Sequence, residues 1–150
     1  MDTTIVGFHQ DADGDWVADL ACGHAQHVRH RPPWQRRAWV TSPEGRATRL
    51  GIAIDCPPCD RIRIPPDARE EARTTTFTET TLPAALRAAH RTRAGTWARI
   101  VVEEGQAEYH ARGRVLLLSA GEAGIVEPEV PHHLVPLGAV KLHLEFYRIE

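Results

Sequence analysis

Four residues in the first sixty positions have the types that hold a metal: Cys22 and His24, two apart, and Cys56 and Cys59 in "CPPC". Thiolates and imidazoles bind zinc tetrahedrally, and a structural site closes with four such ligands. On a strand, residues i and i+2 share a face, so Cys22 and His24 can point together. A Cys-x-x-Cys turn makes its two sulfurs converge. His27 and His30 follow in "CGHAQHVRH", and either can replace His24 or lie outside a closed site. In a reducing compartment, three Cys with this spacing read as metal or redox chemistry more readily than as a structural disulfide. The simpler alternative is a reduced, buried Cys-x-x-Cys without metal. A thioredoxin-like role is disfavoured because no βαβ pattern surrounds Cys56. Zinc is the expected cofactor of this half.

Arginine and tryptophan are interleaved nearby. From Arg29 to Arg49 there are six Arg and one acid, Glu44, with Trp34 and Trp39 among them. Such a stretch can stack on bases and neutralise phosphates. The alternative, that the Trp residues pack a thin core and the Arg residues solubilise it, is preferred because the patch is short and the net charge is −2. Nucleic acid is therefore not the expected partner.

The second half offers His90, then His132 and His133 in "PHH", then His143 and Glu145 in "KLHLEFY". In this last run, Val140, Leu142, Leu144 and Phe146 share one face of a strand, and Lys141, His143, Glu145 and Tyr147 share the other. The polar face either lines a pocket or meets solvent. Glu103 and Glu104 read as a solvated hairpin tip. Glu127 and Glu129, alternating with Pro, read as orienting or surface residues.

The elements that must position these groups are mostly strands. "TTIVGFHQ" and "DWVADL" flank "DADGD", a hairpin signal. "TWARIVVEEG" ends a strand at Gly105, and "QAEYHARGRVLLLS" predicts a hairpin turning over residues 111–113. Pro128, Pro131 and Pro136 exclude helix from "GIVEPEVPHHLVPLG". "LPAALRAAH" is the one helical turn predicted in this half, opened by Pro83. Short strands at regular spacing argue for a sandwich or small barrel. The first half has few Ile, Leu and Phe, so its thin core needs a staple. A charged, Pro-containing stretch from Asp60 to Thr76 marks the join. The predicted organisation is a Cys/His metal-binding module over 1–63, a linker over 64–73 and a barrel over 74–150.

At 42% hydrophobic and 25% charged residues, the chain is globular and not disordered. No apolar run is long enough for a membrane span. The acidic start, "MDTTIVGFHQDADGD", does not read as a signal peptide, so the cytoplasm is the expected location. No nucleophile–base pair, phosphate loop or cofactor fingerprint appears. No motif decides between an enzyme and a binding protein.

Two resemblances add to this reading. "GFHQDADGDWVADLACGHAQHVRHRPPWQRRAWV" with the later "LGIAIDCPPC" resembles a small family of uncharacterised bacterial proteins built around CGH-x-QH-x-RH-x-PPW and a late DC-x-x-C. That resemblance makes Cys22, His24, His27, His30, Cys56 and Cys59 motif positions. "LPAALRAAHRTRAGTWARIVVEEGQAEY" and "GIVEPEVPHHLVPLGAVKLHLEFYR" resemble the cupins, and more closely a small family related to the N-terminal part of tellurite-resistance protein B. The overall expectation is a mainly β protein, a zinc-binding hairpin module followed by a single cupin-like barrel. By position, the resemblance implies His90, His132 and Glu145 as ligands of a divalent metal (Zn, Fe, Mn or Ni), with His133 and His143 as substitutes. Two His and one carboxylate leave open coordination positions. Arg99 and Tyr109 are candidate ligand contacts. A small molecule or oxyanion is the implied partner. A homodimer through the apolar face from Val140 to Phe146 is expected, since cupins commonly pair through their sheets. The functions implied are a stress-response protein that senses or sequesters a small ligand, an oxygenase- or isomerase-type cupin enzyme, or a nucleic-acid or protein-binding adaptor using the Arg/Trp stretch.

Overall fold

The computed structural model describes residues 1–149. The chain divides into two compact units, Met1–Arg61 and Ile62–Glu150. No helix among the described residues is long and apolar enough to cross a membrane.

The first unit is built on one antiparallel sheet. Strands β1 (Asp2–Gln10), β2 (Trp16–Leu20), β3 (Ala25–His27) and β4 (Ala53–Asp55) lie in the order β3-β2-β1-β4. The turn between β1 and β2 closes on Asp11, whose Oδ1 accepts from the backbone N–H of Asp13 and of Asp15, both at 2.9 Å. Helix α1 (Pro43–Ala47) opens with a Ser42 cap: the hydroxyl accepts from the Gly45 N–H at 3.0 Å, and Pro43 gives up an N–H that has no helical partner there. Helix α2 (Pro57–Asp60) starts after Cys56. The buried core joins Ile5, Ala18, Leu20, Val28 and Val40 to all three cysteines. The apolar set is as thin as the sequence implies, and the sulfurs complete it.

The second unit consists of two sheets that share one core. Strands β5 (Arg69–Arg73), β6 (Phe77–Thr78), β7 (Thr96–Glu104), β8 (Gln106–Ala111), β9 (Arg114–Ser119), β10 (Ala123–Val126), β11 (His132–Pro136) and β12 (Lys141–Arg148) are all antiparallel to their partners. One sheet runs β10-β7-β12-β5, with β6 also on β12; the other runs β11-β8-β9. Ile100, Val102, Leu142 and Leu144 from the first sheet meet Tyr109, Leu118 and Leu134 from the second. Each fully buried aliphatic side chain contributes about 1.5–3 kcal/mol relative to exposure. Gly124 lets the sheets close: a Cβ there would meet the Tyr109 ring at 2.5 Å. The Tyr109 hydroxyl then donates to the Ile125 carbonyl at 2.8 Å. The turn opened by Pro83 is a single 3-10 turn, Ala84–Arg87.

Two expectations change here. Residues 64–73 read as linker, yet Arg69–Arg73 is a strand paired with β12. All five of its residues are exposed, so no alternation marks it in the sequence. The apolar face holding Val140, Leu142 and Leu144, expected to serve a contact between copies, is taken up by the barrel's own core.

Candidate metal centre

Strand β1 lies between β2 and β4, and this places the four ligands of the first unit. Ile5 pairs with Leu20 at the end of β2, and Asp2 pairs with Asp55 at the end of β4. The turn after β2 and the turn after β4 therefore fall at the same end of the sheet. Cys22 and His24 sit in the first turn, not on a strand as their spacing suggested. That turn is fixed by the Gly23 N–H to the Leu20 carbonyl at 2.9 Å and by the Leu20 N–H to the His24 carbonyl at 3.0 Å. Cys56 ends the second turn, its N–H on the Met1 carbonyl at 3.0 Å. One turn of α2 then returns the Cys59 N–H to the Cys56 carbonyl at 3.1 Å.

The ligand atoms of Cys22, His24, Cys56 and Cys59 all lie within 4.8 Å of one another, and the three cysteines are buried. The Sγ atoms of Cys22 and Cys56 are 3.7 Å apart. His24 Nδ1 is 3.5 Å from Cys22 Sγ, 3.4 Å from Cys56 Sγ and 3.2 Å from Cys59 Sγ. A tetrahedral zinc with Zn–S of about 2.3 Å and Zn–N of about 2.0–2.1 Å has S···S edges near 3.8 Å and S···N edges near 3.5 Å. The donor set and its spacing therefore fit a closed Cys3His site. Burial opposes ionisation of Cys22. Hydrogen bonding from the His24 backbone N–H, and with Cys59, Cys56 and Thr3, outweighs it and draws the thiol below its ordinary pKa. The thiolate is the ligand form.

His27 and His30 stand outside the group. His27 Nε2 pairs with Asp11 Oδ2 at 2.9 Å on the surface. His30 Nδ1 accepts from the Arg37 N–H at 2.9 Å.

In the barrel, His90, His132 and Glu145 are not brought together. His132 is 2% exposed and faces inward, 6.1 Å from the Tyr109 ring and 5.5 Å from the His90 ring. His90 and His132 also exchange two backbone hydrogen bonds, at 2.8 and 2.9 Å. Burial, with the nearby His90 and His133, lowers the His132 pKa against a single hydrogen bond to the Val130 carbonyl. Glu145 lies on the opposite face of its sheet. It pairs with Arg99, while its neighbour Leu144 pairs with the core residue Ile100. Its Oε1 accepts from Arg99 Nε at 3.1 Å and from the Tyr147 hydroxyl at 2.9 Å. Its Oε2 accepts from His143 Nε2 at 2.9 Å, with Arg73 at 3.6 Å. The pleat thus puts the carboxylate and the two imidazoles on different faces. Arg99 and Tyr109, the candidate ligand contacts, are separated the same way. His133 stacks on His110 at 4.3 Å with the rings 16° apart. His110 escaped the sequence reading, because the cross-strand pairing that joins it to His133 has no local signal. Among the described residues, the Cys/His quartet is the one group of three or more placed to hold a metal.

Comparison with known proteins assigns both halves. Residues 6–63 match a family described as a protein of unknown function, DUF3565. Residues 72–144 match the TehB-like domain. The chain is a fusion of a DUF3565 domain with a TehB-like domain. Among solved structures, a protein from E. coli strain K12 is similar at 20% identity and TM-score 0.56, over 59% of this chain and 98% of that one. TehB from Haemophilus influenzae is similar at 22% identity and TM-score 0.51, over 55% of this chain. The match spans 32% of that TehB, about a third of its length. At these identities the likeness is one of fold. No match was found among curated proteins.

Proposed function

We propose that the first unit is a structural zinc module and that the TehB-like barrel binds or senses a small anionic ligand in a response to tellurite or a related oxidant. The observation that carries the zinc assignment is the convergence of three buried sulfurs and one imidazole at tetrahedral-edge distances. Bound there, zinc supplies cross-linking and no open position, because four protein ligands complete its shell. Cys22, His24, Cys56 and Cys59 would hold it. The thin apolar core around them favours a stapling role.

The barrel reading rests on fold and on charge. A cleft of about 320 Å³ is lined by His90, Arg91, Thr92, Arg93, Thr96 and Arg148, among others. Glu71 also lines the cleft and pairs with Arg148 at 3.8 Å, while Arg91 and Arg93 have no carboxylate partner among the described residues, which suits an oxyanion. The metal-dependent oxygenase- or isomerase-type reading is less favoured, because His90 and His132 lie on a different face from Glu145. The test is elemental analysis of protein purified without chelator or polyhistidine tag. One zinc per chain, lost in Cys56→Ser together with stability of the first unit, is the expected result. Zinc content unchanged by Cys56→Ser would refute the zinc module. For the barrel, calorimetric titration with tellurite or selenite should give binding weakened about tenfold by Arg91→Ala with Arg93→Ala, roughly 1.4 kcal/mol. No heat with either anion would refute that part.

A further inference from the structure

The three tryptophans of the first unit have different fates. Trp39 packs against the core, its ring 5.8 Å from Phe8, with the Arg49 guanidinium 5.0 Å from its centroid. Trp16 also packs against the core and carries Arg46 at 3.7 Å. Trp34 is 91% exposed and makes no ring or cation contact among the described residues. The expectation that these tryptophans fill the core fails for this one residue. A fully exposed indole wastes a large apolar surface unless something covers it.

Trp34 is also held in place. It rides a short loop whose stem is closed by reciprocal backbone hydrogen bonds between Arg31 and Gln35, at 2.8 and 3.1 Å. Arg36 Nε ties back onto the Pro33 carbonyl at 3.2 Å. At the stem, a cleft of about 310 Å³ is lined by Trp16, Arg29, His30 and Arg31, among others. His30 in turn accepts from the Arg37 N–H.

Arginines outnumber acids around the loop, with Glu44 and Asp13 the acids that form no ion pair among the described residues. The nearby acid Asp15 is taken up by Arg29 and Arg31, and Asp11 by His27. Arg36, Arg37, Arg46 and Arg49 have no carboxylate partner among the described residues. Arg36 and Arg37 use backbone carbonyls instead. The overall charge of −2 hides this local excess.

We infer that the Trp34 loop and its arginines form a binding surface for single-stranded nucleic acid, with a base stacked on Trp34 and phosphates on the surrounding guanidiniums. Stacking tolerates any base, since every base has a flat face, and arginine supplies the backbone contacts. An acidic peptide would satisfy the arginines but would leave both faces of the indole unmatched. This surface is independent of the barrel ligand and of any chemistry at the zinc.

The experiment uses the full, metal-loaded chain and a fluorescein-labelled, mixed-sequence single-stranded DNA, followed by anisotropy. Binding is expected at low salt, weakening between about 50 and 200 mM, with a log–log slope that flattens by roughly 0.7 in Arg36→Gln. Trp34→Ala should weaken binding roughly 5- to 150-fold, and Trp34→Phe less. Both variants should keep wild-type zinc content and melting, because this side chain packs on nothing. Any of three results overturns the inference: no binding at low salt, binding unchanged in Trp34→Ala, or equal competition by a poly-glutamate peptide. The last would assign the surface to an acidic protein.

Discussion

Replacing Glu145 with Gln tests the division of labour within the barrel. The carboxylate is 4% exposed and accepts from Arg99, His143 and Tyr147, with Arg73 nearby. A hydrogen bond to a charged group contributes about 1.5–3 kcal/mol. The arginines are half exposed, so screening limits each of those pairs to about 0–1 kcal/mol. Glutamine keeps one acceptor oxygen but turns the other position into a donor, facing His143 or an arginine. The expected loss is about 2–3 kcal/mol. For a domain of this size that lowers the melting temperature by roughly 8–24 °C. The effect should depend on pH. Burial raises the Glu145 pKa, but hydrogen bonds from His143 and Tyr147 and the charges of Arg99 and Arg73 more than reverse it, leaving it below the usual carboxylate value. Its contribution is therefore complete above the unfolded value of about 4.3 and lost as pH falls through the depressed folded value. Calorimetry of wild type and Glu145→Gln should show a wide gap at neutral pH and convergence in acid. Bound metal should stay the same, since Glu145 is not one of the four convergent ligands. Equal melting at neutral pH would refute the stabilising network. A fall in metal content would restore Glu145 as a ligand.

Other outcomes are expected. His132 is held neutral in the fold, so the unfolded chain takes up its proton first; stability of the second unit should fall as pH drops below about 6.5. His132→Phe should flatten that slope in pH-resolved denaturant titrations. Gly124→Ala should cost about 1–3 kcal/mol through crowding of Tyr109, read from the urea midpoint. A strong zinc chelator should melt the first unit, followed by loss of Trp16 and Trp39 fluorescence shifts, while the barrel's calorimetric transition remains. Melting that ignores the chelator would argue that the core alone carries that unit.

Legibility in the sequence varied with the range of the interaction. Strand β12 is plain, because Leu142 and Leu144 alternate with His143 and Glu145 over a buried face. The same alternation sets Glu145 apart from inward-facing groups, whereas the resemblance to cupins joined it to His90 and His132. The pleat decided against the join. Cys22, His24, Cys56 and Cys59 are readable from type and spacing. That the turn carrying Cys22 and His24 meets the turn carrying Cys56 is not, since it depends on β1 sitting between β2 and β4. Strand β5 left no trace, because an exposed edge of Arg and Glu looks like linker until its partner is known. Residue type does not separate Trp34 from Trp39; the closed stem at Arg31 and Gln35 holds Trp34 in an exposed loop.

The sheet order has a kinetic consequence. Strand β12 pairs with β5, β6 and β7, so three earlier strands share one late partner. A ribosome releases β5 and β6 long before that partner exists. Until then their backbone groups stay hydrated and β7 keeps an open edge. Pairings this distant in sequence slow folding into the range of about milliseconds to seconds. For that interval the nascent barrel is exposed to misplaced strand pairing and to chaperones that recognise it.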